Sequence, residues 1–417
     1  MTQYLWSKNK IVQLSGKLFL ILIGILVALA VTEFLARLLG PPFNPQENIL
    51  GSLHQCDRLV GWRGIPNMST TLNTDEQYEH KVVWNSRGMH DDEHLIQKEK
   101  KVFRILMIGD SFVQASEVEE PQTSHQILED ILNSQSSSEL KFEVISGGVL
   151  GWGPAQELMY FRSEGRLYNP DLVLILWVPA NDLSNNLPDH VLTGSGINCY
   201  APYFAICNGQ FDLEPWFSAP GINPTWKSCS TSKKLLTTGL NYLYTNSTLY
   251  QRLALLLLKR DQKIANLSNY ASWMNQDQPD ETLSYAYQLT DNIYAQLAQE
   301  ANQIEAKTAF VIVPYRQVIY YEVDPVFRAG LLSENPSFKN GNSTLPNQTF
   351  TALMTNRNLP VLDLHPHFVA HYKVGGEPLH WISNFHWNIT GNRIAAEFIA
   401  QWLLDQKLLP LQKQVEN

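Results

Sequence analysis

An α/β fold is what this sequence predicts: a parallel sheet with helices on both faces, behind an apolar N-terminal helix and broken by one long insertion. Three observations point there. Five short apolar runs alternate with helix-patterned segments after residue 101, and residues 18–32 (LFLILIGILVALAVT) carry no charge. Of the 417 residues, 44% are hydrophobic and only 17% charged, enough apolar side chain for a buried core, which excludes disorder for most of the chain. The formal charge of −9 and the lack of any lysine and arginine cluster argue against a nucleic-acid partner.

The N-terminal segment comes first in chain order. Lys8, Lys10 and Lys17 precede the apolar run, which is too short alone to cross a bilayer. Continued helically through Glu33, Arg37 and Leu39 it reaches roughly 33 Å at 1.5 Å per residue. Glu33 and Arg37, four apart, pair on one face of such a helix. Residues 1–40 thus read as a cytoplasmic tip and a single-pass membrane anchor, placing the remaining chain outside the cytoplasm. The alternative is a signal peptide cleaved near Ala30, after the small-x-small pattern of Ala28 and Ala30. Either reading exports the domain and permits disulfides. Cys199 with Cys207, close in sequence, and Cys56 with Cys229 form the expected pairing out of three arrangements that four cysteines allow. No CxxC spacing supports zinc or thioredoxin-like chemistry.

Residues 41–100 form a polar, turn-rich leader with one strand-like stretch at Lys81–Trp84. Residues 101–417 then carry the alternation. Phe103–Ile108 reads as a buried parallel strand, followed by a helix over Pro121–Leu132 with proline at its start. Phe142–Ile145 is a strand, Pro154–Arg166 a helix, and Leu172–Val178 a strand. An insertion at about 187–280 breaks the pattern; it contains three of the four cysteines and a leucine-dense helix near Leu249–Lys259, read as packed rather than membrane-bound. Alternation resumes with a helix at Glu281–Glu305, strands at Thr308–Val313 and Val361–Leu364, and a helix near Thr390–Leu404.

In parallel α/β sheets the site lies beyond the C-terminal ends of the strands. Three candidate residues meet that condition, and a fourth stands at the start of a helix. Ser111, in Gly109-Asp110-Ser111-Phe112, follows the first strand and can present a hydroxyl nucleophile; an N-cap serine has the same appearance. Gly151 follows the second strand and can offer a backbone N–H to an oxyanion, although an ordinary glycine turn looks alike. Asn181 follows the third strand, where its amide can be a further donor or simply make an Asx turn. His386 precedes the last helix, placed for a neutral imidazole to take the serine proton.

Serine, glycine, asparagine and histidine in this order resemble the GDSL/SGNH hydrolase family over about residues 102–189 and 281–404. Asn85-Ser86-Arg87-Gly88 and Tyr168-Asn169-Pro170-Asp171 look like its membrane-anchored bacterial branch. The resemblance implies a flavodoxin-like α/β/α sandwich and hydrolysis or transfer of an acyl ester, on a carbohydrate or lipid, through a covalent serine. It casts Ser111 as nucleophile, His386 as base, and the Ser111 N–H, Gly151 and Asn181 as oxyanion donors. The family usually carries an aspartate two or three residues before the histidine; here those positions are Asn384 and Ser383. Asn384 can still accept from the ring, so a handicapped triad or a Ser-His dyad is expected, with Asp363 a substitute acid or, preferably, a structural cap. That departure keeps open a non-catalytic envelope binding or assembly protein. Proline and alanine before Asn181 replace the family's glycine.

No cofactor or metal is expected. His365, His367 and His371 have ligand-like spacing but no accompanying carboxylate or cysteine motif, so they read as loop histidines. Trp152, Trp381 and Trp387 flank the candidate residues, either as a sugar-stacking surface or as core.

Overall fold

In a computed structural model, the described residues are 2–39, 53–75, 78–136, 140–187, 199, 201–218, 247–250, 252–253, 279–334, 344–382 and 384–410. The leader contributes two antiparallel hairpins, β1 (His54–Asp57) with β2 (Gly61–Gly64), and β3 (Ser69–Thr74) with β4 (Tyr78–Val83). The central sheet is built from β5 (Val102–Gly109), β6 (Lys141–Gly148) and β7 (Leu172–Trp177). The insertion adds four short strands, β8 (Ala201–Tyr203), β9 (Ile206–Cys207), β10 (Gln210–Phe211) and β11 (Trp216–Ser218). β12 (Lys307–Ile312) and β13 (Val361–Asp363) then complete the central sheet.

All five central strands are parallel, in the order β13-β12-β7-β5-β6. Their near-continuous apolar sequences follow from that position: β7 is buried at every residue, because helices cover both faces. Helices Ser124–Gln135 and Ile389–Asp405 pack together in one layer; Pro154–Ser163 and Glu281–Asn302 pack in the other. This is the three-layer, flavodoxin-like sandwich. Strand order reverses between β5 and β7, so the crevice for a site opens at the ends of those two strands.

Several boundaries differ from the sequence reading for local reasons. The first helix begins at Ser124 rather than Pro121, because the Thr123 hydroxyl caps the Gln126 N–H and residues Glu120–Gln122 form a 3-10 turn. The second ends at Ser163, and the rest of its expected span is a 3-10 turn at Gly165–Tyr168. The leader holds four strands where one was expected. Its polar alternation hides them, and they are fixed by tertiary contact: Trp62 Nε1 donates to the Leu150 carbonyl at 2.7 Å, and Trp152 Nε1 returns a bond to the Trp62 carbonyl at 2.8 Å.

The N-terminal helix runs over Thr2–Leu38, and its Ser15–Leu38 portion is long and apolar enough to span a membrane, its most apolar 18-residue window having a mean hydropathy of 2.7. Glu33 pairs with Arg37 at 2.8 Å as expected. Glu33 also accepts the Ser247 hydroxyl at 2.7 Å and the Thr248 and Leu249 N–H groups at 3.0 and 3.1 Å. The apolar helix is therefore tied to the insertion. Most of the leucine-dense stretch expected at 249–259 lies outside the described residues.

The expected cysteine pairing is corrected. Cys56 bonds to Cys199, with Cα atoms 5.5 Å apart, so Cys199 is not joined to Cys207. Cys207 is disulfide-bonded too, and Cys229 lies outside the described residues. Proximity in sequence misled because hairpin β1–β2 and the start of the insertion meet only in the folded chain. The crosslink spans 143 residues, a long loop whose closure limits the unfolded chain strongly. Reduction, or a Cys56→Ser/Cys199→Ser variant, should cost about 2–5 kcal/mol and lower the melting temperature. An unchanged melting temperature under reducing conditions would show that this bond does not hold the leader to the insertion.

Candidate active site

The position of Ser111 is created by a cap. Asp110 ends β5 and its Oδ1 accepts the Phe112 N–H at 3.0 Å, starting the four-residue helix Ser111–Gln114. The turn lies flat against the sheet because Gly109 and Gly148 have no Cβ; a methyl at either would collide with the Val113 side chain. Ser111 is only 3% exposed, and its Oγ is 2.7 Å from His386 Nε2. Residues from the end of β5 and from the turn before the last helix are thereby joined.

Asn181 follows β7 in the helix Pro179–Asn185, and its Nδ2 donates to Asp110 Oδ2 at 2.7 Å. One amide hydrogen is used to orient the side chain and the other remains. Gly151 has φ +73°, the left-handed region that glycine enters freely, and its carbonyl accepts from Asn185 Nδ2 at 3.2 Å. Of the four sequence-derived positions, Ser111 and Asn181 sit in the short helices that follow β5 and β7, Gly151 in the turn after β6, and His386 in the turn before the last helix.

Asn384 does something other than expected. Its Oδ1 accepts the backbone N–H of His386 at 3.2 Å, the local bond of an Asx turn. The ring's Nδ1 instead lies 3.2 Å from Glu117 Oε1. This contact is close but not aligned as a hydrogen bond, and Glu117 Oε2 is buried without a partner. Glu117 was missed from sequence: it lies six residues after Ser111 in a loop, and no local pattern marks it. Ser383 lies outside the described residues. Asp363 is a cap, accepting the His365 N–H at 2.9 Å and the Asn347 amide at 2.9 and 3.1 Å.

The leader reaches the same loops. Gln114 Oε1 accepts the Leu150 N–H and lies 3.1 Å from His54 Nε2, while the Gln114 carbonyl is 2.9 Å from His90 Nδ1. Of the three tryptophans, Trp152 and Trp387 are core, at 0% and 2% exposure. Trp381 is half-buried and stacks on Tyr78 of β4, with ring centroids 5.2 Å apart.

The three histidines of 365–371 lie on the helix His365–Lys373, not in a loop, and each has its own neighbour. His365 is buried against Glu322 at 2.8 Å, His367 packs on Phe398, and His371 meets the Glu377 carbonyl at 3.0 Å. Asp91, Glu120 and His125 do bring ligand atoms within 4.8 Å of one another. Yet the Asp91 oxygens accept the Asp92 and Ser146 N–H groups at 2.9 and 2.8 Å and lie 3.1 and 3.3 Å from His94 and His125. Those contacts occupy the carboxylate's lone pairs, which makes the group an ion-pair hub. Burial opposes the Asp91 charge, but His125 and His94 outweigh it and hold the carboxyl below its ordinary range.

Beneath the site, burial raises the Asp110 carboxyl from its ordinary value, lifts Asp182 well above its own, and pushes Glu157 up to about 8. Glu157 Oε2 accepts from the Tyr294 hydroxyl at 2.9 Å, and Asp182 Oδ2 from the Val178 N–H at 2.7 Å. A carboxyl raised on folding stabilises the fold fully below its unfolded pKa, and that contribution disappears as pH rises through the folded value. For Glu157 the window runs from the ordinary 4.5 to about 8. Glu157→Gln, unable to ionise, should lose less melting temperature than wild type across that window. Parallel pH curves for the two would mean Glu157 is not the titrating group.

No family model and no curated protein matches the chain. Among solved structures it is similar to a lipase/acylhydrolase from Enterococcus faecalis, at 13% identity and a TM-score of 0.36, over 74% of this chain and 99% of that one. It is similar also to Axe2, an acetylxylan esterase from Geobacillus stearothermophilus, at 10% identity and a TM-score of 0.37, over 74% and 97%. A putative lipolytic protein of the G-D-S-L family from Desulfitobacterium hafniense matches at 9% identity and a TM-score of 0.31, over 72% and 98%.

Proposed function

We propose that this chain is a membrane-anchored, extracytoplasmic serine esterase or O-acyltransferase of the SGNH type. The observation that carries the reading is the 2.7 Å contact between Ser111 Oγ and His386 Nε2, with Glu117 on the far side of the imidazole. Ser111 Oγ attacks the ester carbonyl as its proton passes to His386 Nε2. Glu117 accepts toward the Nδ1–H, holds the tautomer that leaves Nε2 free, and stabilises the imidazolium. The oxyanion is met by the Ser111 and Gly151 N–H groups and the Asn181 amide. The carbonyl–alkoxy bond then breaks, and His386 returns its proton to the leaving oxygen. Water, or an acceptor hydroxyl, attacks the acyl-serine by the same route in reverse. The disulfide between Cys56 and Cys199 supports an oxidising compartment, and the apolar helix Ser15–Leu38 is long enough to serve as the anchor.

The competing reading, a non-catalytic binding or assembly protein, rested on the aspartate missing near His386. Glu117 weakens that motive by bringing a carboxylate to the ring from another loop. Two experiments test the proposal. A fluorophosphonate probe should label the folded wild type and not Ser111→Ala; an unlabelled wild type rejects the esterase. Glu117→Gln should lower kcat by as much as about 10⁴, as expected when the wrong histidine tautomer is favoured. Asn384→Ala should cost far less, and the opposite ranking would return the third position to Asn384.

A further inference from the structure

The turn that carries His386 is clamped from outside its own hairpin. Its base is regular: His380 pairs with Trp387, and the Trp381 N–H donates to the His386 carbonyl at 2.9 Å. Its tip is not. Phe385, immediately before the candidate base, has φ +66° and is 41% exposed. An aromatic residue seldom occupies the left-handed region, and such a conformation persists only where its surroundings over-determine it. Asp75, from the turn between β3 and β4, accepts the Ile382 N–H at 2.6 Å. Arg316, the first residue of the helix that follows β12, donates through Nη1 to the Trp381 and Ile382 carbonyls at 3.0 and 2.7 Å. Its guanidinium lies over the Phe385 ring at 5.1 Å and the Tyr320 ring at 5.0 Å.

We propose that Arg316 is a positioning residue for His386, holding the 381–386 turn so that Nε2 stays on Ser111. The inference rests on the esterase reading above. A planar guanidinium suits these contacts, since one nitrogen reaches two adjacent carbonyls while the flat faces engage two rings, which a lysine ammonium cannot do together. No salt bridge ties Arg316 to a carboxylate among the described residues, so its contacts are with the turn and the aromatic rings rather than an ion-pair network. Arg316 has no role in the proton transfers. It acts by limiting where the imidazole can be, and misplacing a reacting group by about 1 Å can cost about 10² in rate.

The test uses the full chain in detergent, with fluorophosphonate labelling of Ser111 and ester turnover measured side by side. Arg316→Ala should slow labelling and lower kcat, by up to about 10²-fold, with KM changed much less and the melting temperature close to wild type. Arg316→Lys should fall between the two, and added methylguanidinium should restore part of the Arg316→Ala labelling rate. Equal labelling rates for wild type and Arg316→Ala overturn the inference and leave the esterase standing. So does a loss that tracks unfolding and recovers with neither lysine nor methylguanidinium. An unlabelled, folded wild type overturns the esterase reading and this inference with it.

Discussion

A hydroxyl and an imidazole 2.7 Å apart, on residues 275 positions distant, are the contact on which the proposed chemistry depends. Neither side chain can find the other by local structure. Ser111 is delivered by the end of β5, where the Asp110 cap forces a helical turn beyond the C-terminal end of the strand. His386 is delivered by the turn ahead of Ile389–Asp405, whose helix packs beside Ser124–Gln135 against one face of the same sheet. The α/β/α sandwich is the frame that brings those two loops to one crevice, and the reversal of strand order between β5 and β7 provides the opening.

The loops themselves are irregular and would sample other conformations without support. Much of that support comes from the leader. Gln114, the last residue of the helix that starts at Ser111, is a junction: the Gly151 loop and the leader's His54 meet its side chain, and the leader's His90 meets its carbonyl. The Trp62 indole donates to the Leu150 carbonyl and the Trp152 indole to the Trp62 carbonyl, fixing hairpin β1–β2 to the Gly151 loop. Asp75 and Tyr78, from hairpin β3–β4, reach the turn that holds His386. The leader is therefore a structural part of the site, and Cys56–Cys199 joins it covalently to the insertion.

Polarity is handled differently on the two sides of the sheet edge. Beneath the Asn181 loop, Asp110, Glu157 and Asp182 are buried together, and burial favours their neutral forms. Around Asp91 the opposite holds, because two histidines and two backbone donors surround the carboxylate and keep it charged. The first group keeps polar atoms buried beside the helix that holds Asn181, at a cost in stability. The second secures the segment around residue 91 to β6 and to helix Ser124–Gln135.

What could be read from sequence was set by short-range physics. The five strands were legible because strands buried on both faces must be apolar throughout. Ser111, Gly151, Asn181 and His386 stood out because each pairs a reactive or permissive residue type with the end of a strand or the start of a helix. Glu117 had no such signature; an acid in a loop gains its meaning only when an imidazole from 269 residues later arrives beside it. The same holds for Asn384, whose expected partner was a ring nitrogen and whose actual partner is the adjacent backbone. The strand expected at Lys81–Trp84 is β4, while β3 was hidden by its exposed polar face, and Cys199 found Cys56 rather than its near neighbour because the fold, not the chain, set the distance. Local sequence determined the elements and the residues at their ends. Which distant groups meet there was decided by packing, since side-chain contact depends on separation in space and carries no trace along the chain.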